Sequence, residues 1–178
     1  MKLALSLVLL TTFTWAQDKP NLANASSACG PISTRFDVKT SSDPAPPVPS
    51  DPGKALVYFI EDFHKLPGEW WGDPTMRLGL DGAWIGATKS NSYISFALDT
   101  REHHMCVNWQ SGAIVPGGYM AFARLNAEAG KTYYYRVQIL SAGGAASSAA
   151  HINLELADPD EGQYLVASSS LSIWHAKK

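Results

Sequence analysis

The sequence has little charge of one sign and no basic stripe. Lys and Arg number 14, Asp and Glu 16, and the formal net charge is −2 at pH 7. That balance offers no electrostatic footprint for a phosphate backbone, so nucleic acid is not an expected partner. No apolar run after the N-terminus is long enough to span a bilayer, so no transmembrane anchor is expected. Internal repeats and coiled-coil heptads are absent. There are only two cysteines, Cys29 and Cys106. No nucleophile elbow appears, and no Ser-x-x-Lys opens a helix, so no catalytic residue, cofactor or metal site is assigned. Ser147 and Ser148 near His151 lie in a glycine-rich loop, a poor support for a triad.

The N-terminus opens with Lys2, a short apolar run from Leu3 to Leu10, and small residues Thr14 and Ala16 before Gln17. This is the pattern of a secretory signal peptide over 1–16. A lipid-anchored protein would carry its cysteine directly after the apolar run, and Cys29 lies well beyond it. The mature chain is therefore expected in a periplasm or outside the cell. In such a compartment two cysteines most often pair. A Cys29–Cys106 bridge is the first expectation and two buried free thiols the second.

The remaining length suits one domain over 29–178, after a polar leader at 17–28. RFDVK (35–39) alternates as a half-buried strand does. The Pro-rich stretch 41–53 lacks the backbone donors a sheet interior needs, and reads as a connector. ALVYFI (55–60) is a buried central strand. Asp81-Gly82 between two apolar segments predicts a type I′ hairpin. Strands are also expected at 93–98, 103–109, 119–128, 131–140 and 151–156, with a second hairpin at Ala129-Gly130. Asp158-Pro159-Asp160-Glu161 predicts a helix from Pro159 toward Ser169, with Tyr164, Leu165 and Leu171 facing the core and Gly162 weakening it. The fold class is mainly β: an antiparallel β-sandwich of roughly eight or nine short strands with one short C-terminal helix.

With the strands placed, a likeness emerges. PGKALVYFIED, RLGLDGAWIGATKSNSYISFAL, HHMCVNWQS and AEAGKTYYYRVQI together resemble a bacterial family of exported proteins of unknown function, distantly similar to PEGA-type surface domains. The resemblance runs from about Cys29 to the C-terminus and rests on turns, core aromatics and a cysteine. It implies a β-sandwich in the envelope or outside the cell, with no catalytic residue. Where such domains have a Pro-Gly-Glu-His turn, this chain reads Asp99-Thr100-Arg101-Glu102-His103.

Several motifs have plain structural readings. AGKT (129–132) lacks the first glycine of a phosphate loop, since Leu125 stands there, and it joins two strands. His103 and His104 are adjacent on a strand and point to opposite faces, so they cannot grip one ion together. The expectation is one histidine hydrogen-bonded near the bridge and one in solvent. DPDEG (158–162) is a helix cap rather than a calcium loop. Tyr133 and Tyr135 share a face opposite Tyr134, and core packing is their expected use.

HKLPGEWWGDPT (64–75) carries the candidate ligand-binding residues, Glu69, Trp70, Trp71 and Asp73. Adjacent indoles in such a loop read first as a cap on one end of the core, and second as a surface that stacks on a sugar or a partner protein. Two carboxylates beside them could serve a glycosidase, but that chemistry needs a defined separation, and both sit on one loop. The expected function is a non-enzymatic binding or structural role toward an envelope protein or glycan. The alternative is a glycan-binding or glycan-active protein using Glu69, Trp70, Trp71 and Asp73.

Overall fold

The apolar run ALVYFIE forms β2 (Ala55–Glu61), with β5 (Ser92–Leu98) and β8 (Thr132–Ser141) paired on its two sides. The computed structural model describes residues 29–43, 51–63, 73–110, 120–141 and 150–177. The other elements are β1 (Phe36–Ser41), β3 (Thr75–Leu80), β4 (Ala83–Lys89), β6 (Glu102–Trp109), β7 (Met120–Asn126), β9 (Ala150–Leu156), α1 (Pro159–Ser168) and β10 (Ser170–Ala176). One sheet runs β1-β10-β5-β2-β8-β9 and the other β4-β3-β6-β7. The predicted β-sandwich is present, with ten strands among the described residues where eight or nine were expected.

The core lies between the sheets. Val57, Phe59, Ile94, Val137 and Ile152 from the first meet Met76, Leu78, Met105, Val107 and Leu125 from the second. Alternation places these side chains on one face of each strand. Tyr135 is buried among them, and its hydroxyl donates to the Arg124 carbonyl across the sandwich at 3.2 Å. Tyr133 donates to the Asn126 carbonyl at 3.2 Å. The polar tips of both rings are thus satisfied.

Two expectations are corrected here. Ala129-Gly130 does not close a hairpin, because β7 pairs with β6 and β8 pairs with β2 and β9. The turn is an arch between sheets, held to the start of β2 by Gly130 N–H donating to the Lys54 carbonyl at 2.9 Å. The segment after the helix is also a strand. SLSIWHA pairs antiparallel with β1 and, over Ser170 and Leu171, parallel with β5. Leu171 therefore belongs to β10, not to the helix face. Asp81-Gly82 bears out the type I′ reading, with φ of 49° and 89°.

Each sheet is covered on its outer side. α1 starts at Asp158, whose carboxylate accepts from Asp160 N–H at 2.9 Å, and Pro159 supplies the preset first turn. It lies over the outer face of the larger sheet. Leu165 packs there with Ile60 and Tyr93, beside the stacked pair Tyr58–Tyr134 (ring centroids 5.2 Å apart). Tyr164 faces outward instead, 71% exposed, contrary to expectation. Gly162 has a packing role: a Cβ there would collide with the Tyr134 side chain. On helix propensity alone Gly162→Ala would stabilise by about 1 kcal/mol. Overpacking against Tyr134 is expected to reverse the sign and cost about 1–3 kcal/mol. Chemical denaturation reads the difference, and a gain in stability would show that the ring yields freely.

The smaller sheet is covered by the segment 29–35. Cys29 and Cys106 form a disulfide with Cα atoms 5.7 Å apart, as expected from the compartment argument. Trp84 packs on this bridge and its indole N–H donates to the Pro31 carbonyl at 2.8 Å. Beneath the segment lies Arg77, only 2% exposed. Its guanidinium donates to the carbonyls of Ile32 (2.9 Å) and Thr34 (2.6 Å) and to Asn108 Oδ1, and stands 4.5 Å from the Trp84 ring centroid. Burial, with a smaller push from Arg35, lowers its pKa. Gln110 ties the segment's exit to β6: its side-chain amide accepts from Phe36 N–H and donates to the Phe36 carbonyl, as a neighbouring strand would.

Candidate functional site

Strand direction gives the sandwich two unlike ends. At one end the turns are short: Asp81-Gly82, Asp99 to Arg101, and Ala127 to Lys131. At the other end β2, β6 and β8 finish and β3, β7 and β9 begin. The connections 62–74, 110–119 and 142–149 therefore leave from and return to the same end, beside the short Ser90-Asn91 crossing. Glu69, Trp70, Trp71 and His64 lie outside the described residues, as do Ser147 and Ser148. Asp73 is described: it is exposed and stands just before Pro74 and β3, at this long-connection end.

Glu61 is the polar group the structure adds there. It continues the inward phase of Ala55, Val57 and Phe59, so its carboxyl enters the space between the sheets and is 0% exposed. Thr88 Oγ1, from the facing sheet, donates to Glu61 Oε2 at 2.7 Å. Among the described residues Oε1 has no hydrogen-bond partner. Burial pushes this carboxyl well above the usual range. Thr88 and the N–H groups of Ser90 and Met76 pull the other way, and the charge of Asp73 reinforces the rise. Ser90 Oγ and Trp109 Nε1, close by in chain position at the ends of β4 and β6, are likewise buried without hydrogen-bond partners among the described residues. On the outer face, Arg136 gathers Glu155 (3.3 Å), Asp62 (3.7 Å) and Glu161, which fixes α1 to the sheet.

The opposite end is polar but closed. His103, 2% exposed, faces Asp81 Oδ2 through Nδ1 at 2.7 Å and the Asp99 carbonyl through Nε2 at 2.9 Å. Asp81 also accepts from Arg101 (2.7 Å) and from His104 N–H (2.9 Å). Burial opposes the charge on Asp81, but these three donors outweigh it and leave the pKa below the ordinary value. With both ring nitrogens occupied, His103 anchors the Asp81-Gly82 and Asp99–Arg101 turns. It lies on the inward face, away from the disulfide on the outward face, which corrects the expectation that it sits near the bridge. His104 is exposed and pairs with Glu102 at 3.1 Å. Among the described residues no group of three His, Cys, Asp or Glu could hold a metal ion. No helix among them is long and apolar enough to cross a membrane.

No family model, no curated protein and no solved structure matches the chain.

Proposed function

We propose that the protein is an exported, non-enzymatic β-sandwich with a binding role in the cell envelope, and that recognition uses the long-connection end. One observation carries this reading: the three long connections 62–74, 110–119 and 142–149 leave from and return to one end of the sandwich, whereas those that leave from and return to the other end are short turns, and the 42–54 connector runs from one end to the other. Recognition loops on two-sheet folds cluster in this way because the sheets fix the loop stems. Trp70 and Trp71 fall in one of the three connections, and Asp73 stands at its stem. The signal-like N-terminus, the disulfide and the resemblance to exported surface domains support an envelope setting.

The test is co-sedimentation of the purified mature protein with isolated envelope glycan and with envelope membranes. Trp70→Ala with Trp71→Ala is expected to leave the thermal midpoint within about 2 °C, since surface changes are usually small, and to abolish co-sedimentation. If the double variant unfolds, the indoles plug the sandwich. If it binds as the wild type does, the recognition surface lies elsewhere.

A further inference from the structure

The least comfortable group in the described molecule is the Glu61 carboxyl. It is fully buried between the sheets, with a hydroxyl donor for one oxygen and, among the described residues, no hydrogen-bond partner for the other. Thr88 and the N–H groups of Ser90 and Met76 compensate only in part, and no cation among the described residues faces it. Ser92 opposite it on β5 is neutral and committed to Lys89 and Ser172. Val137 opposite it on β8 is apolar. From the facing sheet come Met76 and Thr88. Lys89 follows Thr88 and so points to the other side of β4. Arg136 and Asp62 lie on the outer side of the sheet. Among the described residues the charge that acts on Glu61 is that of Asp73, of the same sign. An unpaired anion in such a place is far costlier than an unpaired neutral hydroxyl.

The bond it makes is also a junction. Glu61–Thr88 links β2 of one sheet to β4 of the other. Two residues on, Ser90 adopts φ 54° and Asn91 holds the end of α1, donating to the Ser168 carbonyl at 3.1 Å and accepting from Ser169 Oγ at 3.1 Å. The same turn receives the first residue of β10, through Ser170 N–H donating to the Asn91 carbonyl at 3.2 Å. Helix end, β10 and both sheets therefore meet where the buried carboxyl sits.

We propose that Glu61 is a proton-operated latch: neutral, it lets the two sheets close at the long-connection end, and ionised, it loosens that end. The sign follows from linkage. A carboxyl whose folded-state pKa is raised contributes stability that is fully present below its unfolded value and is lost as pH rises through the folded one. The opening equilibrium around residues 88–92 and 168–171 should rise by about tenfold per pH unit across that window and then level off.

Hydrogen exchange of the mature, oxidised protein from pH 4 to 8, corrected for intrinsic exchange, reads this directly. The wild type should lose protection in those two segments as pH rises. Glu61→Gln, neutral and of the same shape, should keep it at every pH. Thr88→Val should retain the step and move it to lower pH only if Thr88 does not favour the charge. Because the hydroxyl stabilises the anion, the expected move is to higher pH. Flat wild-type protection, or a Glu61→Gln profile that follows the wild type, overturns the proposal. Should Glu61→Gln fail to fold, carboxyl-carbon NMR titration of the wild type decides: Glu61 titrating in the ordinary glutamate range overturns the latch, and titration well above it supports the latch.

Discussion

Replacing Cys29 and Cys106 together by alanine is expected to cost about 4.5 kcal/mol, on the loop-entropy relation for a closed loop of this length. The separation is 77 residues, so the bridge removes much freedom from the unfolded chain. For a domain of this size the thermal midpoint should fall by roughly 10–15 °C. The native state loses as well, because the bridge pins the segment 29–35 over Arg77 and Trp84. Thermal unfolding followed by circular dichroism, with and without reductant, checks both. A loss under about 1 kcal/mol, the size of an ordinary point substitution, would show that Arg77 and Trp84 hold the segment without covalent help.

Arg77→Met should cost about 3 kcal/mol, although methionine fills most of the same volume. Among the described residues no carboxylate pairs with this guanidinium; its partners are two carbonyls of the covering segment and the Asn108 side chain. Without it the Ile32 and Thr34 carbonyls lose this donor, which costs about 1–3 kcal/mol for each that water cannot reach. The effect should be local in exchange experiments, appearing first in residues 29–35. Combined with the cysteine double variant, the losses should fall short of their sum, because both changes release the same segment. Full additivity would contradict a shared role.

Much of the fold was legible because it depends on period and turn chemistry. The apolar run of β2, the alternation of β5 and β6, the Asp81-Gly82 turn and the Asp158-Pro159 helix start are local signals, and each appears where expected. The misreadings are tertiary. Ala129-Gly130 has hairpin chemistry, yet the chain changes sheets there, and only strand pairing reveals it. SLSIWHA alternates weakly and follows a helix, so its pairing with β1 needs a partner far away in sequence. Tyr164 obeys helix periodicity but falls on the outer side once Gly162 is pressed against Tyr134.

The site divides along the same line. Glu61 could have been placed from alternation, since it lies two residues beyond Phe59 on the inward face. Its hydroxyl partner Thr88, by contrast, comes from the other sheet. Arg77 alternates with Met76 and Leu78 and so lies on the outer face of β3, and the covering segment that buries it is fixed by a bridge between residues far apart. Glu69, Trp70 and Trp71 were singled out by residue type alone, and their role rests on the binding experiment.

Export and the covalent staple can be tested together. Intact-mass analysis of the protein recovered from its producing cells, with and without reduction, is expected to find a mature chain beginning at Gln17 that gains two hydrogens on reduction. A chain that retains Met1, or one with two thiols open to alkylation before reduction, would contradict an exported, disulfide-stapled sandwich.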